Sequence, residues 1–177
     1  MFGKQARSRV MMDSVKVKIR NNLKSYEIGS KYPDLPALPK ASILIPLLVK
    51  NGEIHVLMTL RSLQLRSNAG EVCFPGGKYD PRDRDEIDTA LREAQEEIGL
   101  HPDQVEVVSR LFPVINKSGL LVTAVVAFID DSFDAQPNPA EFPVPGFGIR
   151  QGVYDMGTDR LAGDAYCCPS IQKKARV

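Results

Sequence analysis

The hydrophobic residues of this 177-residue chain are grouped into apolar runs separated by turn-forming residues. Short apolar runs bounded by Gly, Pro and Asn are typical of buried strands. We therefore predict strands at 41–49, 53–61, 104–115 and 120–130, with a short strand near 71–74. The sequences KNG (50–52) and NKSG (116–119) separate neighbouring strands and predict two hairpins.

Two other segments have the spacing of amphipathic helices. Val15, Ile19 and Leu23 recur every four residues and predict an N-terminal helix that docks by one face. A second helix is predicted over 85–98, with Gly99 in the position of a C-terminal cap. At about 100° per residue, its apolar side chains fall on one stripe: Ile87, Leu91, Ala94 and Ile98. Together these elements predict an α/β domain in which helices flank a mixed sheet.

The same patterns divide the chain into three parts. Residues 1–36 contain the basic N-terminal helix and a Pro-rich linker, and residues 37–141 contain the predicted sheet and the second helix. Residues 142–177 contain many Gly and Pro residues and keep neither a strand period nor a helix period for long. A tail of this length without clear elements is unusual in a compact domain, and we expect most of it to be poorly ordered.

Composition and charge narrow the classes of function. The length and a hydrophobic fraction of 43% indicate one globular domain. The formal net charge of +1 argues against nucleic acid or an acidic membrane as a partner, and the apolar runs are too short for a membrane-spanning helix. The basic N-terminal segment is similar in composition to a transit peptide, although we favour a solvated helix face. An odd number of cysteines, Cys73, Cys167 and Cys168, favours a reducing compartment.

The second predicted helix carries three crowded glutamates, Glu93, Glu96 and Glu97. A like-charged pair one turn apart destabilises a helix by about 0.2–0.5 kcal/mol. A hard divalent cation such as Mg²⁺ would make the clustered glutamates favourable, because it prefers carboxylate oxygens as ligands. Its remaining coordination positions stay open for water and phosphate. The alternative is a solvated acidic face, since glutamate is a good helix former.

The context of these glutamates resembles a known signature. The stretch GGKYDPRDRDEIDTALREAQEEIGL (76–100) is similar to the Nudix box of hydrolases that act on a nucleoside diphosphate linked to another group. The matching residues are Gly77, Arg92, Glu93, Ala94, Glu96, Glu97, Gly99 and Leu100. Asp83 stands where the family has its first Glu, and eight residues instead of seven separate it from Arg92. The role of that early acid is therefore left open.

This resemblance implies a fold and a site. The implied fold is a Nudix-type α/β/α sandwich around a mixed sheet, which we expect to be incomplete at its C-terminal end. The implied metal ligands for Mg²⁺ or Mn²⁺ are Glu93, Glu96 and Glu97, and either Glu96 or Glu97 would be the catalytic base. Arg92 would orient a glutamate through a salt bridge. Gly76 and Gly77 would let the substrate-binding loop turn sharply against the helix.

A second motif lies immediately upstream. The stretch LMTLRSLQLRSNAGEVCFPGG (57–77) resembles the extra signature of the coenzyme A diphosphatase branch, through Arg61, Ser62, Arg66, Gly70, Phe74 and Pro75. The implied reaction is hydrolysis of the pyrophosphate of coenzyme A and acyl-coenzyme A to 3′,5′-ADP and (acyl) 4′-phosphopantetheine. Arg61 and Arg66 are candidates for binding substrate phosphates, because an arginine fork holds phosphate bidentately.

Two other functions stay open at this point. One is a Nudix hydrolase for another nucleoside diphosphate derivative, and the other is a truncated, inactive product that retains only metal or nucleotide binding. We expect a small-molecule substrate, no nucleic-acid or membrane partner, and a monomer. The resemblance implies a peroxisomal location, but Ala175, Arg176 and Val177 make a poor C-terminal targeting tripeptide, which leaves the cytoplasm as the alternative.

Overall fold

The fold was analysed in a computed structural model, which describes residues 2–27, 37–50, 53–60, 71–136, 138, 150–154 and 161–162. The helices are α1 (Phe2–Leu23) and α2 (Glu86–Ile98), with 3₁₀ turns at Lys24–Tyr26 and Pro102–Gln104. The strands are β1 (Lys40–Lys50), β2 (Glu53–Leu60), β3 (Val72–Cys73), β4 (Gly76–Lys78), β5 (Val105–Arg110), β6 (Val114–Ile115), β7 (Leu121–Ile129), β8 (Arg150–Tyr154) and β9 (Leu161–Ala162). Within these ranges no helix is long and apolar enough to cross a bilayer.

The strands form a mixed sheet, as predicted. The order along the sheet is β5-β7-β1-β2-β8-β9, while β3 pairs with β2, β4 with β1, and β6 with β7. Strands β1 and β7 run parallel, and the other pairs that the structure describes are antiparallel. The pairings Lys50↔Glu53 and Ile115↔Leu121 confirm the two predicted hairpins.

Each face of the central strands is covered by one helix. Because side chains alternate along a strand, Leu44 and Leu48 of β1 pack with the apolar stripe of α2, whereas Leu47 and Val49 pack on the opposite face. That second face is covered by α1 through Met12, Val15, Ile19 and Leu23. The α/β/α arrangement and the docking of the N-terminal helix are therefore confirmed.

Helix α2 begins and ends where its caps predict. The Asp85 side chain accepts hydrogen bonds from the backbone N–H groups of Ile87 and Asp88, which would otherwise lack partners at the first turn. At the other end, Gly99 adopts φ +70° and donates its N–H to the Gln95 carbonyl at 3.0 Å. The glutamates between these caps are thus held in register along a helix with fixed ends.

The predicted strand at 104–115 is wrong in its continuity. Strand β5 ends at Arg110, Leu111 makes an isolated bridge with Glu27, and β6 begins only at Val114. Pro113 lies in the gap, and proline cannot donate to a strand ladder. A bulge between Val107 and Ser109 bends the strand further.

Residues 142–177 contain two short strands that the sequence pattern did not predict. Strand β8 pairs antiparallel with β2, where Val56 lies opposite Gly152, and β9 pairs with β8. A five-residue strand that contains Gly152 has a weak local pattern, and its pairing with β2 depends on contacts distant in sequence. The rest of that tail and most of the Pro-rich linker lie outside the described residues. The domain boundaries after 36 and 141 stay predictions.

Replacing Gly99 with Ala should lower the free energy of unfolding by about 1–2 kcal/mol, because its φ of +70° is strained for a residue with a Cβ. Urea unfolding of the wild type and the variant would measure this difference. Gly99→Asn is the matched control, and its free energy of unfolding should fall by less, since asparagine tolerates the left-handed conformation. An alanine variant as stable as the wild type would contradict the capping role of this glycine.

Candidate active site

The candidate site begins with two glycines of β4 that lie between β1 and α2. Gly76 pairs with Ile43, and a Cβ on Gly76 would lie 2.3 Å from the Ser42 carbonyl oxygen. Its φ of +154° is also rarely adopted by residues with a side chain. A Cβ on Gly77 would lie 2.4 Å from the Glu93 carboxyl carbon. Gly76 therefore requires glycine because of the β1 backbone, and Gly77 lets the Glu93 carboxylate pack against the backbone of β4.

The glutamates of α2 fall into two environments. The backbone N–H of Gly76 donates to Glu97 Oε2 at 3.1 Å, and the Glu93 carboxylate lies directly against Gly77. The Glu93 side chain is 18% exposed, whereas that of Glu96 is 50% exposed. Glu93 and Glu97 thus face the glycines of β4, and Glu96 points further towards solvent.

Arg92 connects the acidic residues around it. Its Nε and Nη2 donate to the two Asp83 oxygens at 2.9 and 3.1 Å, in a bidentate pair. Its Nη1 lies 2.9 Å from Glu93 Oε1 and 3.2 Å from Glu96 Oε2, and Nη2 also donates to the Lys78 carbonyl at 3.1 Å. Hydrogen bonding to Asp83 is the main reason that the pKa of Arg92 is raised. Arg92 therefore stays charged while it orients the glutamates of α2.

Asp83 is buried in the loop before α2, and its carboxylate has several donors. Thr89 Oγ1 donates to Asp83 Oδ2 at 2.9 Å, and the Asp80 N–H donates to the same oxygen at 3.0 Å. These hydrogen bonds, with that from Arg92 the largest contribution, hold the pKa of Asp83 below its usual value. The sequence left the role of this acid open, and the structure assigns it to anchoring Arg92.

Two members of this network were missed by the sequence analysis. The Lys78 carbonyl carries no residue-specific signal, because any residue has a backbone oxygen. Thr89 has a usable signal, because a hydroxyl three residues before Arg92 can meet the loop that precedes the helix. The predicted substrate-binding residues Arg61 and Arg66 lie outside the described residues.

The donor set at β4 and α2 fits a small divalent cation. Glu93 and Glu97 supply carboxylate oxygens one helical turn apart, and both carboxylates lie against the glycine backbone of β4. No group of three His, Cys, Asp or Glu side chains in the part of the chain that the structure describes is gathered into a ready-made metal cage. Mg²⁺ is commonly held by one or two carboxylates, several waters and substrate phosphates, so two such ligands are compatible with it.

A large cavity of about 710 Å³ lies elsewhere in the molecule, between α1 and the turn after β7. Its lining includes Met12, Lys16, Phe128 and Asp131, and none of the site residues predicted from the sequence. The glutamate–glycine contacts, and not the size of this cavity, therefore locate the candidate site.

The NUDIX domain family matches residues 38–144. The chain is 49% identical over 131 residues to the peroxisomal coenzyme A diphosphatase NUDT7 of Mus musculus, covering 74% of this chain and 53% of the relative. It is 43% identical over 115 residues to the mitochondrial Nudix hydrolase 15 of Arabidopsis thaliana, covering 63% of this chain and 40% of the relative. The chain spans about half the length of the curated relatives it matches.

A solved structure supports the fold independently. The crystal structure of the Nudix hydrolase RenU from M. smegmatis superimposes with a TM-score of 0.50 at 20% identity. The match covers 67% of this chain and 75% of the RenU chain. At this identity the likeness concerns the arrangement of the sheet and helices, not the chemistry.

Replacing Asp83 with Asn should lower the free energy of unfolding at pH 7 by about 2 kcal/mol, because a buried, charge-assisted pair with Arg92 is lost. The pKa of Asp83 is lowered by folding, so its contribution is complete above the unfolded value of about 4 and is lost as the pH falls through the folded value. The difference between wild type and variant should therefore shrink below about pH 4, as measured by urea unfolding at a series of pH values.

Asp80→Asn is the matched control for this experiment. Asp80 lies in the same loop but pairs with the exposed side chain of Arg82. It should have little effect on stability at pH 7. Equal effects of the two substitutions would show that Asp83 does not anchor Arg92.

Proposed function

The chain belongs to the Nudix family, and on that premise we propose that it hydrolyses the pyrophosphate bond of coenzyme A and acyl-coenzyme A. The products would be 3′,5′-ADP and 4′-phosphopantetheine or its acylated form. The observation that carries the proposal is the placement of the Glu93 and Glu97 carboxylates against the backbone of Gly76 and Gly77. The choice of substrate is supported by the mouse relative and by the motif at 57–77.

Glu93 and Glu97 would hold Mg²⁺ or Mn²⁺, with Glu96 as a further ligand. When bound, such an ion neutralises charge on the diphosphate and lowers the pKa of water. Gly76 and Gly77 are proposed to bind the substrate as well, and the support is their place beside the Glu93 and Glu97 carboxylates.

A carboxylate must accept the proton of the attacking water, and either Glu96 or Glu97 is proposed for this step. The Gly76 N–H fixes one oxygen of Glu97, which orients its carboxylate beside the place proposed for the diphosphate. Glu96 is more exposed, and its ion pair with Arg92 limits its reach. Arg92 acts through these glutamates as a positioning residue, and Asp83 holds Arg92 in turn.

Arg61 and Arg66 are proposed to bind the phosphates of the substrate. Coenzyme A carries a 3′-phosphate in addition to its pyrophosphate, and arginine remains charged at any working pH. The support for this assignment is their position in the motif at 57–77.

The second candidate function is hydrolysis of another nucleoside diphosphate derivative by the same site. It is supported by the Arabidopsis relative, whose name, mitochondrial Nudix hydrolase 15, specifies no substrate. The third, metal or nucleotide binding without turnover, stays a prediction. A peroxisomal location is supported by the name of the mouse relative, and the location and the monomeric state stay predictions.

Replacing Glu97 with Gln should abolish hydrolysis of coenzyme A in the presence of Mg²⁺, because the amide is neither a strong metal ligand nor a base. The assay would separate 3′,5′-ADP from substrate by chromatography, with ADP-ribose as the competing substrate. Asp88→Asn is the matched control on the same helix, since Asp88 pairs with Arg84 and not with β4. A fully active Glu97→Gln variant would overturn the metal assignment, and a preference for ADP-ribose would favour the second candidate.

Replacing Arg61 or Arg66 with Ala should raise KM for coenzyme A, because a charge-assisted phosphate contact is lost. Comparing coenzyme A with dephospho-coenzyme A would identify which arginine meets the 3′-phosphate. The variant that lacks the arginine at the 3′-phosphate should lose the preference for coenzyme A over dephospho-coenzyme A. The other variant should raise KM for both substrates equally. If neither substitution changes KM for either substrate, these arginines do not bind phosphate.

A further inference from the structure

A buried carboxylate at the start of α2 ties the helix to two strands. Glu86 is 8% exposed. Its Oε1 accepts a hydrogen bond from Lys40 Nζ of β1 at 3.2 Å, and its Oε2 accepts one from Arg110 Nη1 of β5 at 3.1 Å. One side chain therefore connects α2 to separate strands of the sheet by directional bonds.

The remaining contacts of α2 with the sheet include few that are directional. Its apolar stripe packs on Leu44 and Leu48, and the hydrophobic effect that drives this contact is non-directional. The bonds that join α2 to β4, from Gly76 to Glu97 and from Arg92 to the Lys78 carbonyl, lie further along the helix. Glu86 thus supplies a polar tie at the first turn that the apolar face does not provide.

The helical period connects this tie to the proposed metal ligands. Glu93 and Glu97 follow Glu86 by seven and eleven residues, which places all of them within about 20° of one stripe. The same counting puts them about 10 and 16 Å further along the axis. Fixing the Glu86 carboxylate therefore fixes both the rotation and the axial position of the stripe that carries Glu93 and Glu97.

The Glu93 carboxylate packs against the backbone of Gly77, so a rotation of α2 would displace it from β4. The Glu93 carboxyl carbon lies where a Cβ of Gly77 would come within 2.4 Å. A side-chain atom about 5–6 Å from the helix axis moves by about 2 Å when the helix turns through 20°. Sites of this kind need positions held to within about 0.5 Å. A rotation of that size would therefore displace the Glu93 carboxylate by more than such a site allows.

We propose that Glu86, held by Lys40 and Arg110, is a positioning residue that sets the register of α2 and thereby the placement of Glu93 and Glu97. The inference rests on the proposed function, because it concerns the same carboxylates. An ion pair can contribute to stability or to the choice of one arrangement, and Glu86 is assigned the second role. A buried pair contributes uncertainly to stability, but it can specify one arrangement among several that pack equally well.

The test measures Mn²⁺ binding directly, by the paramagnetic resonance signal of free Mn²⁺, together with thermal unfolding and hydrolysis. Glu86→Gln keeps the shape of the side chain and removes its charge. It should raise the Mn²⁺ Kd about tenfold, at the low end of what groups supporting metal ligands contribute. Lys40→Gln removes one partner from a half-exposed position and should shift the Kd in the same direction by less.

Glu106→Gln is the matched control. Glu106 also pairs with two cations, Lys16 and Arg20, but these belong to α1 on the other face of the sheet. This variant should loosen α1 and leave the Mn²⁺ Kd unchanged. A change of equal size in Glu106→Gln would show that any loss of ion pairs disturbs the site, which overturns the inference.

The other outcomes are equally decisive. A folded Glu86→Gln variant with a lower melting temperature and a wild-type Kd overturns the inference and makes Glu86 merely structural. If Glu86→Gln does not fold, the Kd of Lys40→Gln decides: a raised value supports the inference and a wild-type value overturns it. A wild-type chain that binds no Mn²⁺ overturns both this inference and the metal part of the proposed function. If the wild type binds Mn²⁺ and hydrolyses coenzyme A while Glu86→Gln keeps a wild-type Mn²⁺ Kd, the inference fails and the proposed function stands.

Discussion

The close approach between α2 and β4 is the contact on which the candidate site depends. At Gly77 the Glu93 carboxylate occupies the space that any Cβ would take, and at Gly76 the backbone N–H meets the Glu97 carboxylate. Two acidic side chains are thereby turned towards the sheet instead of towards solvent. The apolar stripe of α2, packed on Leu44 and Leu48, brings the helix near enough for these contacts.

Such an arrangement of acids needs compensation, and Arg92 supplies part of it. Each like-charged pair one turn apart destabilises the helix by about 0.2–0.5 kcal/mol. A charge-assisted hydrogen bond in a partly buried place contributes about 1.5–3 kcal/mol, which is enough to offset the repulsion. Arg92 meets Glu93 and Glu96 with one nitrogen and Asp83 with two others. Asp83 therefore supports Glu93 and Glu96 indirectly, because it holds the arginine that pairs with them.

The parts of the fold that could be predicted from sequence are those that depend on residues close together in the chain, such as helix caps and the helical period. The ends of α2 follow from Asp85 and Gly99, and the docking of α1 follows from the period of Val15, Ile19 and Leu23. Pro113 was a visible signal that the strand at 104–115 is divided, and the apolar run around it outweighed that signal in the prediction. Strand β8 could not be predicted because its partner, β2, is distant in sequence. The same holds for Asp83, whose pairing with Arg92 depends on how a loop folds back and not on a fixed spacing.

Under the proposed function, the number of carboxylates near β4 would link metal binding to substrate binding. Glu93 and Glu97 supply fewer oxygens than a six-coordinate cation needs, so the other positions are left to water and to phosphate oxygens. A diphosphate that contributes ligands must then raise the affinity for the metal, and by linkage the metal must raise the affinity for the diphosphate by the same factor. A site with a full cage of protein ligands would hold its metal firmly but leave no position for the substrate. In the proposed reaction, the sparse donor set on α2 would therefore suit a metal that arrives with the diphosphate or is retained by it.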